Sequence, residues 1–401
     1  MMALASGDYI IPVRGADGEL CAMKCTVPKS GDLVIPVRTA DGHRVGMAMQ
    51  SPKASGDQIM AARAADGYRA ALRTLSVPPN NGPVYCLTVY DGKLIAGGDF
   101  TAIGGISANC IAAWDGANWS ALGDGLNNVC RALTVDGANL IAGGDFTSPA
   151  TRVASWNGLS WSAIGAGLNG SCYGLAVYGS TLIACGAFVV PYRIAKLSGS
   201  SWVNLGPGLD SSCFALTIYG DKLAAAGGFI YTQDNSLQLN CAGLWDNTSW
   251  SALGYGFPDW MFGEDGYCLA LTVYGDKLIS GGTFKRADLY PLVTANKIAS
   301  WDGAHWSSLG TGLNGSCYTL TVYDNKLIAG GAFTAAGGIP AAMAGSWNGS
   351  GWSAIGSGLN NACRAMTVYG GKLIAGGEFT LAGGNLALYI AQWDGATWEA
   401  I

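Results

Sequence analysis

Charge is scarce in this chain. Only 12% of its residues are Asp, Glu, Lys or Arg, and the formal net charge is −5. There is no run of Lys and Arg, so the electrostatic footprint of a nucleic-acid binder is missing. Histidine is scarcer still: His43 and His305 are alone among 401 residues. A Ser–His–Asp set or a His-rich metal centre is thereby nearly excluded, because each needs imidazole chemistry that two distant histidines do not supply. No apolar run reaches the length of about 18 residues that a membrane-spanning helix requires. Met1 to Arg14 lacks a basic segment followed by an apolar core, so no secretory signal is expected.

Cysteine, by contrast, is plentiful, with 12 copies. None forms a Cys-x-x-Cys pair. Cys21 and Cys25 lie four apart, a weak metal pattern with no histidine at ligand spacing. In a chain without a secretory signal, the expectation is free, buried thiols that fold in a reducing compartment and pack as small hydrophobes.

Half the residues are hydrophobic, with 61 Gly and 14 Trp. Gly-rich turns between runs of Val, Ile, Thr, Tyr and Trp point to strands rather than long helices. One text recurs. Its core, L-I-A-G-G-x-F or a close variant, ends at Phe100, Phe146, Phe188, Phe229, Phe284, Phe333 and Phe379. A hairpin of the W-[DN]-G-x-x-W type or a variant follows each copy, with its second Trp at Trp119, Trp161, Trp202, Trp250, Trp306, Trp352 and Trp398. Seven copies at a period of 41 to 55 residues mark a repeat architecture.

Each copy reads as four strands: A-L-T-V-Y, K-L-I-A-G-G, I-A-S-W and W-S-A-L-G. Asp-Gly, Gly-Asp, Gly-Gly and Asn-Gly separate them, which are tight hairpin turns. A four-stranded antiparallel unit cannot bury both its faces alone, but seven packed around an axis can. The predicted fold is therefore all-β: a seven-bladed β-propeller of four-stranded antiparallel blades over residues 84–401. The last blade has all four strands from its own text, which predicts closure by packing of blade seven on blade one. Tyr68 to Leu75 could still add an edge strand.

Residues 1–75 carry a different repeat. S-G-D-Y-I-I-P-V-R, S-G-D-L-V-I-P-V-R and S-G-D-Q-I-M-A-A-R start at Ser6, Ser30 and Ser55. Each precedes an Asp-Gly turn, which predicts a small all-β domain of three hairpin repeats. So small a core is marginal and is expected to lean on the propeller or a partner. Residues 76–83 read as a linker.

The paired glycines Gly97-Gly98, Gly143-Gly144, Gly281-Gly282, Gly330-Gly331 and Gly376-Gly377, each followed by a Trp pair, resemble kelch-type repeats. The third copy departs, with Cys185-Gly186 for the pair and Leu197 for the first Trp. The resemblance covers residues 84–401 and implies the fold, while kelch-like propellers serve many roles. Copper-radical oxidases of similar fold need two His ligands beside tyrosines, which are missing here. Sialidase propellers need an arginine cluster, and only Arg131, Arg152, Arg193, Arg286 and Arg364 are available; the Asp boxes of that family are not matched either.

Several repeated positions weigh as scaffold against chemistry. Asp115, Asp246, Asp302 and Asp394 recur one per blade before Gly, which suits a turn rather than paired acid–base work. Asn127, Asn169, Asn314 and Asn360, with Asp210, could form a ligand ring or, as we favour, cap backbone turns. Cys130, Cys172, Cys213, Cys268, Cys317 and Cys363 exchange with Val84, so an inter-blade contact outweighs a thiol ring. The repeated Trp residues read as inter-blade packing rather than a sugar platform. His305 reads as an exposed turn residue.

Loop length breaks the symmetry. Turns joining strands one–two and three–four are uniformly tight. On the other face the longest connections fall in blades four and five: 230–240, 255–267 and 285–297. They hold the candidate binding residues Tyr231, Asp234, Tyr255, Phe257, Trp260, Met261, Phe262, Glu264, Asp265, Lys285, Arg286 and Tyr290, because loops on a rigid scaffold carry function. The alternative is an insertion packed on itself.

No catalytic residue, metal ligand or cofactor is expected. The layout, hairpin repeats ahead of a display-like propeller, resembles modular bacteriophage virion proteins. It implies a non-enzymatic capsid-decorating or tail-associated attachment protein in the virion. Residues 1–75 would bind other virion proteins, and the propeller a host-surface receptor or glycan, without nucleic acid or membrane insertion; a homo-oligomer is compatible. A bacterial surface or secreted adhesin or lectin is the alternative, and a propeller hydrolase the least favoured.

Overall fold

A computed structural model describes residues 80–264 and 266–401, together with the backbone of four strands nearer the N-terminus. The chain divides into two units, Met1–Val77 and Pro78–Ile401. In the first, Asp8–Arg14 pairs antiparallel with Leu20–Thr26, and Leu33–Arg38 with Arg44–Met49. These strand pairs fall in the first two N-terminal repeats. The third repeat, Cys21 and Cys25 as side chains, and the segment 68–75 lie outside the described residues.

The second unit consists of seven four-stranded antiparallel sheets. It is a seven-bladed β-propeller. In blade one the strands are Val84–Tyr90, Lys93–Gly98, Ile111–Trp114 and Trp119–Ala121. The first strands of neighbouring blades pack on one another around the axis, and the fourth strands lie outermost. The second strand is sandwiched between adjacent sheets, so it is buried on both faces from Leu94 to Gly98. That is why its text is a continuous apolar run rather than an alternation. The first strand alternates buried and half-buried positions instead.

The Asp91-Gly92 turn has both residues at positive φ, 49° and 68°, as a two-residue hairpin with right-handed twist requires. Asp115 Oδ1 accepts hydrogen bonds from the amides of Ala117 and Asn118 at 2.8 and 2.7 Å. Asp302 and Asp394 repeat this on their own turns, and Asn157 and Asn348 do it with an amide oxygen. The backbone N–H donors hold the Asp115, Asp302 and Asp394 carboxyls below the usual Asp range. A depressed folded value means the contribution is present above the ordinary Asp value of ~3.9 and is lost as pH falls through the folded values. The melting temperature should therefore hold from neutrality to about pH 4 and drop below it. Asp394→Asn should leave neutral stability unchanged and blunt the acid loss, which melting curves across pH will read.

Each blade grips its neighbour in three ways. The Phe that ends the repeated core is almost wholly buried in every blade, worth about 1.5–3 kcal/mol apiece. In blades two to seven the indole of the fourth-strand Trp reaches the preceding blade: Trp161 Nε1 donates to Leu122 O at 2.8 Å, and Trp398 Nε1 to Ile355 O at 3.0 Å, while Trp119 Nε1 in blade one has no partner among the described residues. The same indole packs on its cross-strand Trp, with centroids 5.4 Å apart for Trp156 and Trp161. Finally, the ring cysteines Cys130, Cys172, Cys213, Cys268, Cys317 and Cys363 are fully buried.

The ten described cysteines are free and buried. Burial pushes the Cys110 thiol up to about 11, and those of Cys241 and Cys317 to about 12. A thiolate is the reactive form, and burial disfavours it at these positions. Alkylation of native protein at pH 8, mapped by peptide mass, should leave the thiols from Cys86 to Cys363 unlabelled until the propeller is unfolded.

Among the described residues, blades one and seven are each four-stranded from their own strands. Blade seven is built from Cys363–Tyr369, Lys372–Gly377, Ile390–Trp393 and Trp398–Ala400. Val84 packs at the position over Gly376 that cysteines fill elsewhere. Tyr369 Oη donates to Gly92 O at 3.2 Å, and Asn80 Nδ2 to Leu388 O at 2.8 Å.

Candidate functional site

The strand-two-to-three loops and the blade-to-blade connections share one face. Five connections run 122–129, 164–171, 205–212, 309–316 and 355–362, while the one from blade four to five runs 253–267. This long connection forms a short 3-10 helix, Asp259–Phe262, stopped by Gly263 in the left-handed conformation. The strand-two-to-three loops of blades one, five, six and seven each fold back as a small hairpin of two-residue strands, such as Arg286–Ala287 with Val293–Thr294.

Part of the candidate patch is one charged frame. Asp259 is buried, 1% exposed. Its Oδ2 accepts the Lys285 amide at 2.5 Å and its Oδ1 the Arg286 guanidinium at 3.0 Å. The same Arg286 nitrogen reaches Glu264 Oε2 at 3.1 Å, and Lys285 Nζ reaches Glu264 Oε1 at 2.8 Å. The Lys285 ammonium, with Arg286 behind it, holds the Glu264 carboxyl below the usual carboxylate range. Arg286 also stacks on Phe262, 4.3 Å from the ring centroid. Trp260 Nε1 donates to Asn240 Oδ1 at 3.1 Å, and buried Asn240 donates to Tyr255 O at 2.9 Å. Trp260, Met261 and Phe262 stay exposed on this frame.

The remaining candidates separate from it. Phe257 corrects the sequence reading: it is fully buried, 4.1 Å from the Phe284 ring and 4.6 Å from Trp306, because the long connection needs an apolar anchor. Tyr255 is half-buried and meets exposed Tyr290 edge-on at 6.4 Å. Tyr231 is half-buried, and its amide donates to Asp210. The Asp234 carboxylate accepts Thr232 Oγ1 and Ser236 Oγ, both at 2.7 Å, so it closes its own turn. Asp265 lies outside the described residues. Asp259, which organises the patch, was not among the sequence candidates; its only sequence signal is an acid inside an apolar segment, P-D-W-M-F.

The Asn ring is a capping device. Asn127 Oδ1 accepts the amides of Thr147 and Ser148, and Asn314 and Asn360 repeat this. Asn81 does the same in blade one. His305 is exposed beside a groove on blade five lined by Asp288, Pro291, Val293 and Trp306. The Asp288 carboxylate is already taken by the amides of Tyr255 and Leu289. Among the described residues, no group of three or more His, Cys, Asp or Glu could hold a metal ion.

A second cluster lies at the axis. In every blade the register shifts after the first residue of strand one, leaving one residue without a cross-strand partner. Such bulges re-aim a side chain. Here they aim Tyr85, Arg131, Tyr173, Phe214, Tyr318 and Arg364 towards one another across blades. Arg131 lies 5.9 Å from the Tyr85 ring and 5.7 Å from Tyr173, and Arg364 4.1 Å from Tyr318. Tyr173 meets Phe214 at 5.6 Å, and Phe214 meets Tyr267 edge-on at 6.4 Å. Blade five has Leu269 at the bulge, and Tyr267 takes its place in the arc. The sequence signal was the residue after the ring cysteine, aromatic or Arg in all copies but one.

The family described as "Domain of unknown function (DUF5122) beta-propeller" matches residues 91–112. No curated protein matches the chain. Among solved structures, the chain is similar to the computationally designed Ika8 protein, at 14% identity and TM-score 0.47, over 80% of this chain and 96% of that one. It is also similar to the WD40 β-propeller domain of Doa1, at 13% identity and TM-score 0.47, over 75% of this chain and 91% of that one.

Proposed function

We propose that this protein is a non-catalytic binding module that engages a protein partner through the loop face of blades four and five. A β-propeller is consistent with protein binding. The observation that carries the reading is the exposed Trp260-Met261-Phe262 segment held on the Asp259–Arg286–Glu264–Lys285 frame. Interfaces concentrate their energy in aromatic, Met and Arg side chains that are already held in place. All five propeller arginines lie on this face, at loop ends or bulges, whereas the tight turns of the opposite face pair lysines such as Lys93, Lys222, Lys277, Lys326 and Lys372 with aspartates.

Within that class, our reading is a bacteriophage virion attachment protein, with residues 1–75 seated on the particle and the propeller facing the host. Hairpin repeats ahead of a kelch-like display domain support it. The test uses assembled particles. Deleting residues 1–83 should remove the chain from purified particles. Trp260→Ala with Phe262→Ala should leave it there but lower adsorption to host cells. Particles that retain the truncated chain would sink the anchoring reading; unchanged adsorption would sink the loop-face reading. Turnover of a hydrolase substrate, abolished by Glu264→Gln, would overturn the non-catalytic reading.

A further inference from the structure

The arc at the axis has its own chemistry. Arg131 is held by Asp145, with Nε and Nη2 at 2.7 and 2.6 Å from one carboxylate oxygen. Arg364 is held by Glu378 in the same way, at 2.9 and 2.7 Å. Each guanidinium is therefore already balanced, and exposed Asp99 adds a third carboxylate nearby. The Tyr85 phenol is pushed up by burial and then by the Glu378 and Asp99 carboxylates. An anionic guest meets two neutralised arginines and a surplus acid. A cationic guest meets two guanidiniums stacked on the aromatic faces it would need.

What remains is a guest without charge that offers both an apolar face and many hydroxyls. The half-buried rings of Tyr85, Tyr173, Phe214 and Tyr318 supply stacking faces. The Tyr85, Tyr173 and Tyr318 hydroxyls make no hydrogen bond among the described residues. The two Arg–carboxylate pairs add planar donors and acceptors fixed in place. Specific small-ligand sites combine apolar and aromatic walls with a few polar groups of this kind.

We propose that the bulge ring at the propeller axis is a carbohydrate subsite that takes the uncharged end of an oligosaccharide. It rests on the reading of the propeller as a binding module, and it is separate from the loop patch of blades four and five. The C–H face of a sugar ring stacks on the tyrosines, and its hydroxyls bond the phenols and the Arg–carboxylate pairs.

The test is saturation-transfer NMR on the full chain with maltotriose, cellotriose, chitotriose and N-acetyllactosamine, and with 3′-sialyllactose and an all-aspartate peptide as charged probes. At least one neutral probe should bind at millimolar concentration, ahead of both charged ones. Tyr318→Ala and Arg364→Met should weaken it roughly tenfold or more, while Phe262→Ala leaves it unchanged. Tyr318→Phe keeps the ring and loses only the hydroxyl, so it carries the test should Tyr318→Ala fail to fold. The proposal is overturned by silence from every neutral probe or by tighter binding of a charged one. Loss of binding in Phe262→Ala with the ring variants unaffected overturns it too, because the sugar then sits on the loops. Failed adsorption of the loop variant with intact sugar binding would separate the two readings.

Discussion

Gly331→Ala is expected to unfold blade six, while Gly330→Ala, one residue earlier, costs about 1–3 kcal/mol. A Cβ on Gly331 would lie 2.0 Å from Ser316 O and 3.1 Å from Cys317 Cα. Both are backbone, and Ser316 O already accepts the Ala332 amide at 2.9 Å. Relief requires moving the start of the first strand, and with it Cys317 in its inter-blade seat. The same approach recurs at Gly98, Gly144, Gly186, Gly227, Gly282 and Gly377, at 1.9 to 2.2 Å from a carbonyl oxygen. A Cβ on Gly330 instead meets the Thr319 methyl at 2.7 Å, Cys363 Sγ at 2.9 Å and Met366 Cε at 3.0 Å. Side-chain ends can shift, and the chain itself places Cys185 and Ala226 at this position in blades three and four. Gly331→Ala should therefore lose at least about 4 kcal/mol and its near-UV tryptophan signal. Gly330→Ala should melt cooperatively a few degrees below the parent. Equal melting of the two variants would refute the distinction.

The same contrast explains what was legible in the sequence. Repetition exposed the blades, because Gly331 and its six counterparts obey a steric demand that no other residue meets. The Asp-Gly turns and the Phe and Trp ladders were readable for the same reason: each copy repeats one physical requirement. Loop length located the asymmetric connection, but it could not say which side chains point outward. Phe257 and Trp260 are both aromatics in one loop, yet one is the anchor and the other is exposed. Asp259 was hidden because its role depends on Arg286, which is distant in sequence and arrives through another blade's loop. The axial ring was hidden differently. A bulge is a backbone event, and only the register shift turns the residue after the cysteine towards its neighbours across blades.

Arg286→Met is expected to cost about 2–4 kcal/mol, the largest loss from any single charge in the propeller. The reason is Asp259, whose carboxylate stays buried when its cation is removed. Among the described residues, the Lys285 amide would remain its one partner of two. Glu264→Gln should cost under about 1 kcal/mol, because both of its ion pairs face solvent. Replacing Asp259 by Asn as well as Arg286 by Met should recover most of the loss, since an amide oxygen can still accept from Lys285 and no charge is stranded. A double-mutant cycle read by thermal melting isolates this coupling. Trp260 fluorescence gives a local readout, because the frame sets the segment that carries the indole. If Arg286→Met costs no more than Glu264→Gln, the frame does not hold the loop. The exposed Trp260-Met261-Phe262 surface would then have to order only on contact with its partner, at a cost in affinity that a preformed surface avoids.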